Sequence, residues 1–294
     1  MNTDAPIVAG IDFSAPTLSV LRHAIQIATR SGVPVVALHV LDSGSLAHRA
    51  ASGGLNPAAG LLEKQARERL AGWIATEDAG TEIRIEIRKG RPAEELQRSV
   101  EEHGASLLVI AANDTTKKRL GSIASHCVRS VPCDVMVLRD WQQGNFTRII
   151  VCSDFSPASA HALARGVSLA AAHGAELEVV HVIYPPSRDA WGEVLEHGAA
   201  APMTYVEECR AKVDEQMMKS LSPHAEALAT VKHRTVILES VLASAALTYH
   251  IQDAGADLVV LGTRSHSKLA SYLIGTNAER LLHDATVSVL AVRG

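Results

Sequence analysis

The sequence contains the same unit twice, and this duplication constrains the fold more than any other feature of the chain. The segment Ile7–Ser14, which reads IVAGIDFS, returns as Ile149–Ser156, which reads IIVCSDFS, at a shift of 142 residues. Further along the chain the shift grows to 151 and then to 154 residues, and it grows only in the predicted loops. This period is far longer than the roughly 20–50 residues of solenoid repeats. The duplication therefore predicts two tandem domains, residues 1–143 and 144–294.

Each repeat alternates short apolar runs with helical patterns. In the first repeat the apolar runs predict strands, and the segments between them predict helices with apolar residues at helical spacing. The predicted strands are Ile7–Ile11, Val33–Val40, Glu82–Arg88, Leu107–Ala112 and Val135–Arg139, and the predicted helices include Leu62–Ile74, Pro92–His103 and Ser122–Ser130. This order favours βαβ units with right-handed crossovers. We predict an α/β fold of two doubly wound, Rossmann-like domains, each a mostly parallel five-stranded sheet with helices on both faces.

Composition restricts the class of protein. The 294 residues are 47% hydrophobic, which is enough for two cores, and the formal net charge is −4 with no basic excess in either half. A dedicated nucleic-acid-binding protein is therefore disfavoured. The N-terminus lacks the pattern of a signal peptide, and no apolar run approaches the roughly 18 residues of a membrane span. Because the four cysteines form no CxxC pair, we expect reduced thiols in a cytoplasmic protein.

The pattern most specific for ligand binding follows the fourth strand of the second repeat. Gly262 opens a turn that reaches Ser265, and nine residues later Gly275 and Thr276 begin the last helix. A glycine after a strand allows the backbone to approach a ligand closely, and the N–H groups of a helix N-terminus favour an anion. The pattern indicates a phosphate site without the lysine of a P-loop. Glycines at these positions are equally typical of an ordinary turn and helix cap.

Four stretches of the chain resemble the universal stress protein family. Gly121–Arg139 is similar to the family's last helix and strand, Leu38–Val40 and Val180–Val182 to its second strand, and Asp257–Gly262 to its fourth strand. The resemblance covers nearly all of both halves, so that the chain resembles a tandem member of that family.

The family's nucleotide signature, G-x2-G-x9-G-[S/T], is present in the second repeat with its spacing intact and with Ser265 in place of the second glycine. The resemblance implies that ATP, alone or with Mg²⁺, binds with its phosphates on this loop. It also implies that Asp154 and the backbone at Val182 lie on the adenosine side. The implied binding residues are Asp154, Val182, Gly262, Ser265, Gly275 and Thr276.

The first repeat departs from this signature. The loop after its fourth strand is three residues shorter, lacks both upstream glycines and carries Asp114 where a phosphate would approach. Asp12, Val40 and Ser122 keep the rest of the pattern. We predict that this site has lost triphosphate binding. The loop residues Lys117–Arg119 either hold some other anion or form a solvated basic segment.

Two functions remain open at this stage. The first is a stress-response protein that senses or stores ATP in its second domain; we see no acid and base placed for phosphoryl transfer, so we expect binding, with slow ATP hydrolysis at most. The alternative is a non-nucleotide module that binds a lipid-like or other apolar ligand, or a partner protein. The missing glycines of the first repeat favour this alternative, as do the apolar residues of Tyr184–Thr204. These residues form either an ordinary contact between helices or a lid over a hydrophobic or nucleotide ligand.

The resemblance also predicts how the repeats associate. In the family, subunits pair through their last strands, and here both such strands, Val135–Leu138 and Val287–Val292, lie in one chain. Covalent linkage raises their effective concentration to the order of ~mM. We therefore expect an intrachain pseudo-dimer, with homodimerisation as a further option.

Overall fold

The computed structural model describes residues 5–14, 17–44, 59–77, 80–112, 120–139, 144–184, 202–263 and 276–294, and its elements are those of an α/β protein. The elements of the first repeat are β1 (Ile7–Ile11), α1 (Thr17–Ser31), β2 (Val35–Asp42), α2 (Ala59–Ile74), β3 (Ile83–Gly90), α3 (Pro92–His103), β4 (Leu107–Ala111), α4 (Ser122–Ser130) and β5 (Asp134–Leu138). Those of the second repeat are β6 (Arg148–Cys152), α5 (Pro157–His173), β7 (Glu176–Ile183), α6 (Pro202–Leu221), a short 3-10 helix (Ser222–His224), α7 (Ala225–Leu228), β8 (His233–Glu239), α8 (Ala243–Asp253), β9 (Leu258–Gly262), α9 (Thr276–Asp284) and β10 (Ser288–Val292).

The chain forms two compact units, one of residues 1–144 with 286–291 and the other of residues 145–285 with 292–294. In the first unit the parallel strand order is β3-β2-β1-β4-β5, and β5 then pairs with β10 in antiparallel orientation. In the second unit the parallel order is β8-β7-β6-β9. The mostly parallel, doubly wound architecture is thereby confirmed. Strand order reverses at β1 and at β6, which places a crevice at the carboxyl ends of these strands.

The central strands are apolar on both faces. Ile7, Val8 and Ala9 of β1 are at most 2% exposed, and residues 149–151 of β6 are fully buried. A parallel sheet covered by helices on both sides requires such a continuous apolar run, whereas a half-exposed strand would alternate. No helix within the described parts of the chain combines the length and the apolar composition needed to cross a membrane.

Two paired strands, β2 and β3, extend further than the sequence predicts, and β3 ends at Gly90 and not at Arg88. The pattern predicts a second strand that ends at Val40, but β2 continues to Asp42. It continues because β3 runs beside it for the same length, with Asp42 opposite Gly90. The extension keeps Asp42 at the carboxyl edge of the sheet, next to the crevice at β1.

Two neutral histidines of the first unit lie away from solvent, His23 buried and His39 half-buried. His23 is 3% exposed, and its Nδ1 donates to the carbonyl oxygen of Ser19 at 2.9 Å. His39 donates in the same way to the carbonyl oxygen of Ile11 at 2.7 Å. Burial lowers the pKa of His23 and of His39 below the usual value. Just below the usual histidine pKa of about 6.5, the unfolded state therefore binds more protons than the folded state.

We accordingly expect the first unit to lose stability as the pH falls from 7.5 to 5.5. The measurement is the urea midpoint at both pH values for the wild type and for His23→Gln, which removes one of the two groups and should reduce the difference. His161→Gln, at an exposed position of α5, is the control and should leave the difference unchanged. A midpoint that rises on acidification would contradict the expectation.

Candidate ligand site

A cavity of about 170 Å³ lies at the carboxyl ends of β6, β7 and β9 in the second unit. Asp154 follows β6, Val182 lies near the end of β7, and Gly262 is the last residue of β9. These three residues of the sequence-predicted set thus border one cavity. The other residues that line it are Cys152, Ser153, Ser159, Val180, His181, Ala243, Leu247, Leu261, Asn277, Ala278 and Leu281.

The N-terminus of α9 borders the same cavity. Thr276 is the first residue of this helix and is exposed, while Asn277 and Ala278 of the same turn line the cavity. The N–H groups of a first helical turn lack intrahelical partners and form the positive end of the helix dipole, so an anion is favoured there. Ser265 and Gly275 lie outside the described residues, as do the basic residues 117–119 of the first repeat and most of the predicted lid, residues 185–201.

The turn at the start of α5 holds Asp154. The backbone N–H of Ser156 donates to Asp154 Oδ1 at 2.9 Å, and the Ser156 hydroxyl accepts the N–H of Ser159 at 3.1 Å as the cap of the helix. Asp154 is exposed. Its carboxylate is therefore oriented by backbone on one oxygen, while the side chain lies at the mouth of the cavity.

A phenylalanine in a left-handed conformation follows this aspartate in both repeats. Phe13 has φ +59° and Phe155 has φ +60°, which is uncommon for a bulky side chain. Their rings pack against His39 and His181 at centroid distances of 4.4 and 4.5 Å. His181 Nδ1 also donates to the carbonyl oxygen of Ser153 at 2.8 Å, as His39 does at the equivalent carbonyl. These contacts fix the exit of the first strand, so both histidines have a structural role.

The first repeat adds a cation to this arrangement. The guanidinium carbon of Arg69 lies 4.5 Å from the ring centroid of Phe13 and 5.1 Å from that of Trp73. The Phe13 and Trp73 rings meet nearly edge to face, with centroids 5.2 Å apart. Cation–π contacts of this kind hold the strained phenylalanine in place.

The backbone of Val182 is directed toward the cavity. The N–H of Ser153 donates to the carbonyl of Val180 at 2.9 Å, and the N–H of Ser240 donates to the carbonyl of Ile183 at 3.1 Å. Backbone groups of successive residues in a parallel strand face alternate neighbours. The N–H and carbonyl of Val182 therefore point toward the β6 side of β7, as those of Val180 do. Because β6 ends at Cys152, which lies opposite Val180, Val182 lies beyond the end of β6. Its N–H and carbonyl are placed to meet the edge of a planar ligand.

Packing alone accounts for the glycine at position 262. A Cβ atom on Gly262 would lie 2.7 Å from the backbone carbonyl carbon of Ala158 in α5, a separation that real Cβ atoms do not adopt. The end of β9 and the first turn of α5 thus approach each other too closely for any side chain. Because packing requires this glycine whether or not a ligand binds, its presence does not distinguish a nucleotide-binding loop from an ordinary turn.

A cluster around one buried carboxylate anchors one wall of the cavity. Glu178 of β7 is 3% exposed. It accepts from Arg234 Nη2 at 2.6 Å and interacts with His250 Nε2 of α8 at 2.9 Å. Breaking one partner of a buried pair leaves an uncompensated charge. The cluster therefore ties α8, which contributes Ala243 and Leu247 to the cavity, to the sheet.

Asn277 and Cys152 are among the residues of the cavity wall that the sequence did not single out. Asn277 carries an amide in the first turn of α9, and its position directly after Gly275-Thr276 was the available signal. Cys152 ends β6, and burial raises the pKa of its thiol to about 12, which keeps it protonated and a poor nucleophile. The described residues contain no group of His, Cys, Asp or Glu side chains arranged to hold a metal ion.

Comparison with known proteins matches both repeats to the same family. The model of the universal stress protein family matches residues 5–139 and again residues 145–293. Universal stress protein A homolog 1 of Coxiella burnetii is 31% identical over 152 residues, which are 50% of this chain and 96% of that protein. Universal stress protein MJ0531 of Methanocaldococcus jannaschii is 29% identical over 137 residues, which are 45% of this chain and 81% of that protein.

Solved structures of similar proteins match the whole chain. A functionally unknown protein of Pseudomonas aeruginosa PAO1, PA1789, has a TM-score of 0.71 at 17% identity and covers 99% of this chain and 92% of its own. A universal stress protein of Archaeoglobus fulgidus has a TM-score of 0.64 at 17% identity, with coverage of 99% and 96%. At this identity the likeness establishes the fold.

Proposed function

The chain belongs to the universal stress protein family, with two copies of the family's domain in tandem, and from this premise we propose that it binds ATP in its second repeat as a cytoplasmic sensor or store of adenine nucleotide. One observation carries the proposal: the Asp154 carboxylate, the Val182 backbone and the N-terminus of α9 meet at one cavity. The signature spacing from Gly262 to Gly275 supplies the loop between them.

The charges around the cavity determine which part of ATP lies at which side of it. The N-terminus of α9, with Thr276, Ser265 and Gly275, takes the phosphates, and Mg²⁺ accompanies them where their charge requires it. The Asp154 carboxylate repels the phosphates and accepts hydrogen bonds from the adenine amino group or a ribose hydroxyl. Bound ATP favours one conformation of the loops at this edge of the sheet. A partner then recognises that conformation. Catalysis amounts to slow hydrolysis at most.

Asp154→Asn tests this assignment. We expect ATP binding to weaken by roughly 1–3 kcal/mol, or about 5- to 150-fold in Kd, because a charged hydrogen-bond acceptor is lost. The rate of hydrolysis per bound ATP should change little. Calorimetry and single-turnover hydrolysis on the same variant measure both quantities, and Asp12→Asn at the equivalent position of the first repeat is the matched control. Unchanged affinity with hundredfold slower hydrolysis would make Asp154 a catalytic residue.

A second function, binding of an apolar ligand, is favoured in the first repeat only. Ile11 and Ile123 line its cavity where the second repeat has Ser153 and Asn277. The intrachain pseudo-dimer and a further homodimer stay predictions; sedimentation of the purified chain would establish whether copies associate.

A further inference from the structure

The helix α8 forms one wall of the second cavity but has few buried side chains of its own. Of its eleven residues, two are buried, Leu247 and Ile251. Leu242 precedes the helix and supplies no side-chain hydrogen bond to its first turn. The equivalent helix of the first unit, α3, buries four residues: Glu95, Leu96, Ser99 and Val100. The position of α8 therefore depends to a greater degree on its polar contacts with the sheet.

The polar contact that joins the last turn of α8 to the sheet is a hydrogen bond between a histidine and a buried carboxylate. His250 Nε2 donates to Glu178 Oε2 at 2.9 Å, and Arg234 of β8 donates to the other oxygen at 2.6 Å. The side chains of Glu178 and His250 are only 5% and 16% exposed. Because water screens such a pair weakly, its interaction is stronger than that of the same pair on the surface.

The charged groups that the sheet directs toward this end of α8 are largely balanced. Glu178 of β7 is the ion-pair partner of His250 among the described residues. The Arg234 side chain is 64% exposed, so water screens its repulsion of a charged imidazole. Arg148 of β6 donates to the carbonyl that follows α8, and Glu176 of β7 balances its charge at 3.2 Å. Glu178 is therefore the charge that acts most directly on His250.

The helices around His250 favour its charged form. His250 lies in the last turn of α8, where the negative end of the helix dipole favours a cation. Asp253 of the same helix is exposed. The charged and titratable side chains of the neighbouring helix α9 are exposed as well: Glu279, Arg280, His283 and Asp284. Protonation of His250 therefore adds a positive charge beside a buried carboxylate and strengthens the contact between α8 and the sheet.

The same helix connects this contact to the cavity. Leu247 lies one turn before His250 and lines the cavity, and Ala243 at the start of α8 lines it too. Because a helix of eleven residues moves as one element, a tighter contact at its last turn also restricts the part that lines the cavity. A ligand that needs this wall in place binds more tightly when less free energy is spent on ordering it.

We propose that His250 is a positioning residue of the second unit, whose protonated form holds α8 against Glu178 and raises the affinity of the cavity for its ligand as the pH falls. The inference rests on the proposed function, since the ligand is ATP, and adds a regulatory input to it. At a fixed ATP concentration, acidification then increases the fraction of the chain that carries nucleotide.

The test is calorimetric titration of ATP into the full chain at pH 8.0 and at pH 6.0. Histidines are the side chains that usually change charge in this range. In His250→Gln the side chain keeps an N–H donor for Glu178 but cannot become charged. We expect equal affinities of the wild type and the variant at pH 8.0, and about threefold tighter binding by the wild type at pH 6.0.

Comparison of two variants at one pH removes the effect of protonation of ATP itself. His283→Gln replaces an exposed histidine of the same unit and is the matched control, which should follow the wild type at both pH values. A structural role of His250 alone predicts the same loss of affinity at pH 8.0 and at pH 6.0. That result would overturn the proposal, as would equal affinities of wild type and His250→Gln at pH 6.0.

Hydrogen exchange of the ATP-free chain measures α8 without a ligand. We expect the amides of residues 243–253 to exchange more slowly in the wild type than in His250→Gln at pH 6.0, and equally in both at pH 8.0. No ATP binding at either pH would refute the nucleotide proposal. In that case, unequal exchange at pH 6.0 still supports the positioning of α8 by His250, and equal exchange refutes it.

Discussion

ATP titrated into the purified chain is expected to saturate at about one nucleotide per chain, and Gly275→Val is expected to abolish this binding. A β-branched side chain at this position of the signature would crowd the close approach of backbone to phosphate, which glycine permits. We expect a loss of at least about hundredfold in affinity, since several backbone contacts to the phosphates are lost together. Calorimetry gives both the stoichiometry and the Kd.

The first repeat provides matched controls for this experiment. Gly121 is the equivalent glycine and caps α4 with φ −63°, a conformation that valine adopts without strain. Gly121→Val and Asp12→Ala should therefore leave ATP binding nearly unchanged. Binding that survives Gly275→Val and is lost in Asp12→Ala would assign the nucleotide to the first repeat instead.

Gly166→Ala is expected to destabilise the second unit by about 1–3 kcal/mol, the usual cost of overpacking a core. Gly166 lies in α5 where the helix crosses β6, and a Cβ atom there would lie 2.2 Å from Val151 Cγ2. Val151 is fully buried and has little room to move. The free energy of unfolding, from urea denaturation, is the quantity to measure.

Gly72→Ala isolates the packing effect from helix propensity. Gly72 also lies inside a helix, α2, but a Cβ atom on it would meet nothing within 4 Å. Alanine should stabilise this helix by up to about 1 kcal/mol, because it is the better helix former. If Gly166→Ala proved as stabilising as Gly72→Ala, the close contact between α5 and β6 would have relaxed without cost.

Most of the fold could be predicted because it follows from local pattern. The apolar run of β1 and the proline at the first turn of α3 gave the observed bounds of both elements. The end of β2 could not be found in this way, since Asp42 belongs to the strand only because a partner strand lies beside it. The left-handed Phe155 was also missed, because a ring contact made across the sheet leaves no periodic trace in the sequence.

The candidate site was predictable to the extent that strand ends determine it. Asp154, Val182 and Gly262 follow neighbouring strands, and parallel strands bring their carboxyl ends to one edge, so these residues meet at one cavity. The sequence could not distinguish the two reasons for a glycine at position 262, because contact with Ala158 is a property of tertiary packing. Ser265 and Gly275 stay predictions from spacing.

The pairing of β5 with β10 has a consequence for synthesis of the chain. β5 is a fully buried strand of sequence DVMVL, and its antiparallel neighbour emerges from the ribosome about 150 residues later. At roughly 5–20 residues per second this interval lasts on the order of 10–30 seconds. Throughout it the nascent chain presents an apolar strand edge, the kind of template on which other chains associate. The pairing of β5 with β10 is therefore completed only when translation reaches β10.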